Sequence, residues 1–219
     1  MKNIRWILVM LLSLSLFSCA LRINDPYPDD YDDTSKATPH TEQPKQPEPI
    51  TFATKSLFPF QNNSNWWMYS EAGGNTLRIA VTDTISDDNI LYYRVSFQEH
   101  RVDTTDDWFQ KSSDGILFGQ SLTGSYHLFL PAKITARQDT FSSRFSNVTY
   151  RFYEEYTLNG HEFTDVLSLK YTSPVIHGFD EIILANKIGI IALTDEDSRW
   201  SVDYKLDSCS IGGEEHIWE

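Results

Sequence analysis

The chain has 219 residues and a net charge of −13, with 40% hydrophobic and 14% aromatic residues. That length accommodates one domain with a real core and a further stretch of chain. The acidity argues against nucleic acid or an anionic lipid surface as a partner, because both would repel it.

The chain opens with Lys2 and Arg5, followed by an apolar run over residues 6–17 that only Ser13 and Ser15 interrupt. As a helix at about 1.5 Å per residue this run rises roughly 18 Å, well short of the roughly 30 Å hydrocarbon layer that a membrane helix must cross. Short, positively flanked and N-terminal, it reads as an export signal over residues 1–18. Leu16-Phe17-Ser18-Cys19 resembles the bacterial lipobox, with an aliphatic residue at −3, a small residue at −1 and a cysteine after the cut. The resemblance implies cleavage between Ser18 and Cys19, a diacylglycerol thioether on Cys19, and acylation of the new amino terminus. Three acyl chains would anchor the protein without help from the polypeptide, since two membrane signals already suffice. The membrane is therefore one expected partner, reached through Cys19. Ala20 rather than aspartate follows the cysteine, which by analogy with enteric bacteria implies sorting to the outer membrane, on its periplasmic face or at the cell surface.

Residues 19–50 read as a tether. Pro26, Pro28, Pro39, Pro44, Pro47 and Pro49 lie here among Asp25, Asp29, Asp30, Asp32, Asp33, Glu42 and Glu48, with almost no aliphatic side chains after Ile23. Such a segment cannot bury enough apolar area to offset its ordering entropy. It is expected to be disordered and to hold a domain away from the bilayer. The aspartate pairs lack the glycine turn and spaced ligands of a calcium loop, so they read as a solvated charge run. Loss of Lys2 and Arg5 with the signal takes the net charge from −13 to −15.

From residue 51 to 219 the composition turns to aromatic and β-branched residues, and the dominant period is two. Leu77, Ile79 and Val81 alternate with polar or small neighbours, as do Leu91, Tyr93, Val95 and Phe97. Val148, Tyr150 and Phe152, then Leu167, Leu169 and Tyr171, then Trp200, Val202, Tyr204 and Leu206 repeat the pattern. Each such run is a strand with one face to a core and one to water. Asn159-Gly160 is a strong hairpin signal, and Ser86-Asp87-Asp88-Asn89 and Ser113-Asp114-Gly115 carry turn chemistry as well. Residues 131–146 read as a long loop holding at most a short helix. The expected fold is all-β: about nine to eleven antiparallel strands forming a sandwich, a barrel or a half-open barrel. Cys209, left without a partner if Cys19 is lipidated, is expected to be a buried small side chain.

Two patches in this domain resemble uncharacterised bacterial lipoproteins. Leu57-Phe58-Pro59-Phe60 with Asn65-Trp66-Trp67-Met68-Tyr69 is similar to their "F-P-L … G-N-x-W-x-Y" opening. Ala185-Asn186-Lys187-Ile188-Gly189-Ile190-Ile191 is similar to their closing "A-x-G-[IV]-G-[LV]-V" strand, with Lys187 standing where the first glycine would be. The resemblance implies a β-rich envelope domain without an assigned activity.

The sequence offers no complete catalytic signature. Gly119-Gln120-Ser121-Leu122-Thr123-Gly124 is one residue too long for a nucleophile elbow and reads as a polar loop. His100, His127, His161, His177 and His216 are scattered singly, without the paired spacing of a zinc site. Glu154 and Glu155 point to opposite faces of their strand. No dinucleotide or phosphate loop is present, and no cofactor or metal is expected. The aromatic excess leaves Trp66, Trp67 and Trp108 as candidate ligand-binding residues, since indoles near polar loops can stack on sugar faces. Adjacent Trp66 and Trp67 must face opposite ways, so at most one belongs to the core. The expected function is that of a non-catalytic, membrane-anchored envelope lipoprotein acting as a binding or interaction module, with envelope proteins or glycans as partners. A glycan-binding surface lipoprotein and a carboxylate-dependent hydrolase are the alternatives.

Overall fold

A computed structural model describes residues 49–60, 65–99, 104–143, 146–173, 177–195 and 202–218. The expected signal, Cys19 and nearly all of the tether lie outside these residues, as do His100 and Trp200. The described part is all-β, with a single 3-10 turn at Thr54–Leu57 and no α-helix.

Fifteen strands follow in chain order: β1 Phe52–Ala53, β2 Trp66–Ser70, β3 Thr76–Asp87, β4 Ile90–Glu99, β5 Thr105–Lys111, β6 Gly115–Gly119, β7 His127–Pro131, β8 Lys133–Ile134, β9 Gln138–Ser142, β10 Asn147–Leu158, β11 His161–Tyr171, β12 Glu181–Ala185, β13 Gly189–Asp195, β14 Val202–Ile211 and β15 Glu214–Ile217. Thirteen of them form one antiparallel sheet, ordered 7-6-5-4-3-2-14-13-12-11-10-9, with β15 added on β14. The sheet is two meanders, β2 to β7 and β9 to β14, joined where β2 pairs with β14. It is nearly closed into a barrel. The remaining strands form a two-stranded ribbon in which β1, from before β2, pairs with β8, from the chain between the edge strands β7 and β9.

Alternating side chains decide which face turns inward. On β3, Leu77, Ile79 and Val81 are buried, and on β4 Phe97 lies opposite Ile79 and Val95 opposite Val81, with buried Tyr93 opposite Thr84 beyond a register shift. The expected turns are present. Asn159 and Gly160 both take positive φ (52° and 84°) between Leu158 and His161, and Asp88 and Asn89 do the same between β3 and β4. Such φ values give the turn a twist that matches the flanking strands.

Residues 131–146 differ from expectation. They hold β8 and β9 instead of a loop or short helix. β9 is an exposed edge strand with Phe141 as its one large apolar residue, so no alternation marks it. Its strand character comes from pairing with β10, from Asn147↔Ser142 to Arg151↔Gln138. The strand total of fifteen also exceeds the expected nine to eleven, in part because β1 and β8 are two residues each.

The N-terminal stretch before β2 fills the barrel. Leu57, Phe58 and Phe60 are buried. The Phe58 ring lies 5.1 Å from Phe129 and 5.7 Å from Phe109, while Phe60 packs at 5.5–5.8 Å against Phe109, Tyr93 and Trp67. Cys209 is a free, buried cysteine, and burial pushes its thiol pKa up to about 12.

Candidate functional site

The three candidate tryptophans do not share a groove. Trp67 points into the barrel and is 2% exposed, its indole N–H donating to the Ile188 carbonyl at 2.6 Å. Trp66 and Trp108 lie on the outer face, each partly exposed. They sit on β2 and β5, with β3 and β4 between them, so three strand spacings of about 4.8 Å separate the strands. Trp108 stands between Arg94 and Gly119 in register.

The two motif patches meet in space, on the strands that flank β14. Asn65 is buried, donating from Nδ2 to the Pro59 carbonyl (2.6 Å) and accepting at Oδ1 from the Gly212 N–H (3.1 Å). The Tyr69 hydroxyl donates to the Ile190 carbonyl at 3.0 Å, and burial holds its pKa well above the usual phenol value, with Cys209 adding to the effect. The Lys187 N–H donates to the Ser56 carbonyl at 2.9 Å. Trp67 and Tyr69 are thus spent on joining the opening stretch to the closing strand, and Asn65 on tying Pro59 to the β14–β15 hairpin at Gly212, which are architectural tasks.

Around Trp66 the outer face forms a trough. Trp66 and Glu215 lie on either side of Ser210, and Met68 and Ile217 on either side of Ser208. Directly opposed residues of an antiparallel pair share a face, so two small side chains on β14 form a floor between larger walls on β2 and β15. Ile217 is 68% exposed. The hollow, about 330 Å³, is lined by Trp66, Asp207, Ser208, Glu215, Ile217 and Trp218. Asp207 sits where the β14–β2 register shifts between Leu206 and Ser208, a bulge of the kind that re-aims a side chain. Its Oδ1 accepts from Ser70 Oγ at 2.9 Å. On the other side of β15 a second groove of about 470 Å³ runs past Phe163, Lys187, Ile188, His216 and Trp218.

A polar cluster occupies one end of the barrel. Asp107, 7% exposed, lies 2.7 Å through Oδ2 from His177 Nε2. His177 Nδ1 is 3.0 Å from Thr105 Oγ1, and its ring packs on Phe97 with centroids 4.1 Å apart. Nearby Tyr204 donates from its hydroxyl to Glu99 Oε1 at 2.5 Å, and its ring meets Phe179 edge-on. Carboxylate, imidazole and hydroxyl in a row can in principle move a proton. However, Thr105 Oγ1 is also 3.5 Å from His177 Nε2, so the hydroxyl lies along the ring edge and not on the axis of one nitrogen. Packing on Phe97 and the bond to Asp107 fix His177 as a tie between the β11–β12 connection and β5. Among the described residues no three His, Cys, Asp or Glu side chains gather to hold a metal.

No protein-family model matches the chain, and no curated protein matches it in sequence. A crystal structure from Parabacteroides distasonis ATCC 8503, described as "a putative lipoprotein", is similar at 11% identity with a TM-score of 0.34. The match covers 73% of this chain and 98% of that one. Among the described residues no helix is long and apolar enough to cross a membrane.

Sequence reasoning did not single out the trough's other wall. Gly212 and Gly213, at φ 63° and 89°, form the hairpin between β14 and β15. The tail Glu215-His216-Ile217-Trp218 then alternates across β15. That glycine pair before an alternating tail was the available signal. Nothing in the sequence announces the Asp107–His177 pair, whose members are 70 residues apart.

Proposed function

We propose that the chain is a lipid-anchored lipoprotein of the bacterial envelope whose barrel is a non-catalytic interaction module. The observation that carries this reading is the lipobox-like Leu16-Phe17-Ser18-Cys19 directly behind a short apolar run with a positive start. A proline-rich acidic stretch then separates the anchor from the barrel, which suits a domain that must reach a partner. Ala20 in place of aspartate favours the outer membrane.

The barrel's aromatic interior is taken up by its own N-terminal stretch, while the trough beside Trp66 presents large side chains to solvent. Contact with a partner is therefore assigned to the outer face. Cys19→Ala, or globomycin treatment of the unaltered protein, should leave unprocessed or unanchored chain, read by gel mobility and by labelling with a palmitate analogue. Normal processing and membrane retention of Cys19→Ala would overturn the anchor. A turnover traced to Asp107, His177 or Glu99 would overturn the non-catalytic part.

A further inference from the structure

We propose that the trough between β2 and β15 receives a lysine or arginine side chain from a basic segment of a partner protein. The proposal rests on the reading of the barrel as an interaction module, and it names the partner's chemistry. The trough combines an overhung floor, aromatic and aliphatic walls, and negative charge. The serine that lines it is Ser208, between Met68 and Ile217 in register, and neighbouring Ser210, flanked by Trp66 and Glu215, is only 5% exposed. A volume of about 330 Å³ is at the small end for ligand sites. It fits one long side chain better than an extended polymer.

The lining then sets the sign of the occupant. Trp66, Trp218 and Ile217 offer apolar surface to a methylene stem, and Asp207 and Glu215 are the charged residues of the lining. Among the described residues neither carboxylate is ion-paired. Lys205 is held by Asp203 at 3.0 Å, and Arg78 stands beyond Met68 on β3. An anionic occupant would meet two uncompensated carboxylates. A neutral one would leave both charges unused. A cation gains from each carboxylate and from an indole face. The net charge of −15 left once Lys2 and Arg5 go with the signal adds long-range attraction for a basic partner and raises its rate of encounter.

The test is calorimetric titration of the lipidated full chain, in a neutral detergent, with the peptide Ac-Lys-Ala-Arg-Ala-Lys-NH2. The expected result is saturable one-site binding that Asp207→Asn/Glu215→Gln weakens about tenfold or more. The same loss of two charges placed elsewhere, Asp87→Asn/Glu155→Gln, should change affinity less than about twofold once salt screening is matched. Ile217→Lys, which sets a cation at the rim, should compete with the peptide and weaken binding even if the first double variant misfolds. Equal weakening by both double variants means diffuse charge attraction and overturns the proposal. No binding by a correctly lipidated chain overturns it as well, and leaves the anchor reading standing. A neutral oligosaccharide that shifts the tryptophan fluorescence of the unaltered protein but not of Trp66→Phe, while the peptide has no effect, overturns it in favour of a sugar.

Discussion

Trp67 and Gly189 form a contact that neither residue's neighbours could make. Gly189 has φ +93°, and a Cβ there would sit 3.3 Å from both Pro59 Cδ and Trp67 Cζ2. The indole needs that space to bring its N–H to the Ile188 carbonyl. Gly189→Ala is therefore strained in backbone and in packing, and should cost about 1–3 kcal/mol. Trp67→Phe removes the donor and leaves the Ile188 carbonyl without it, a loss of about 1–3 kcal/mol. Because the two residues share one contact, the double variant should cost less than the sum of the singles. Urea midpoints of the four proteins measure this; strict additivity would mean that they act independently. The unaltered Trp66 trough should still bind its peptide in both single variants.

At the scale of elements, the strands that the sequence declares are those whose inward face is continuous. β3, β4, β10 and β11 each carry alternating apolar residues, and their hairpins carry Asp-Asn or Asn-Gly. β9 could not be read this way, because an exposed edge strand needs only backbone pairing. The division of the two adjacent tryptophans was legible for the same reason as the strands, since period two fixes opposite faces. Which one faces inward was not, because that depends on the partner strand. The trough needed the β2–β14 register, a pairing across more than a hundred residues that local pattern does not encode. The Asp107–His177 tie is likewise tertiary. Removing one member separates its two sides: His177→Ala leaves a carboxylate buried and unpaired, whereas Asp107→Asn keeps a hydrogen-bonding group beside the imidazole. His177→Ala should thus be the more damaging, by about 1–3 kcal/mol, in denaturant unfolding. The reverse order would mean that the pair is not what holds the β11–β12 connection to β5.

For the barrel as a whole, stability depends on a short segment outside the main sheet. Among the described residues the two meanders share strand pairing only at β2–β14, and the segment between the opposite edges, β7 and β9, contributes β8, which pairs with β1. Phe58 packs inside the first meander, with its ring against Phe109 of β5 and Phe129 of β7. Phe129 in turn stacks at 6.3 Å on Tyr171 of β11, in the other meander. A buried phenylalanine truncated to alanine costs about 3–5 kcal/mol, a large part of the roughly 5–15 kcal/mol that holds a domain folded. Phe58→Ala should therefore lower the denaturation midpoint strongly. Because Phe129, which Phe58 supports, also packs on the second meander, unfolding should remain a single transition. Tryptophan fluorescence follows Trp66, Trp67 and Trp108 in the first meander, with Trp218 beside β15 and Trp200 in sequence between β13 and β14, whereas far-UV circular dichroism follows all strands. Coincident midpoints from the two probes in Phe58→Ala are the expected outcome. Two separated midpoints would show that each meander is stable alone and that the N-terminal stretch fills the barrel without uniting it.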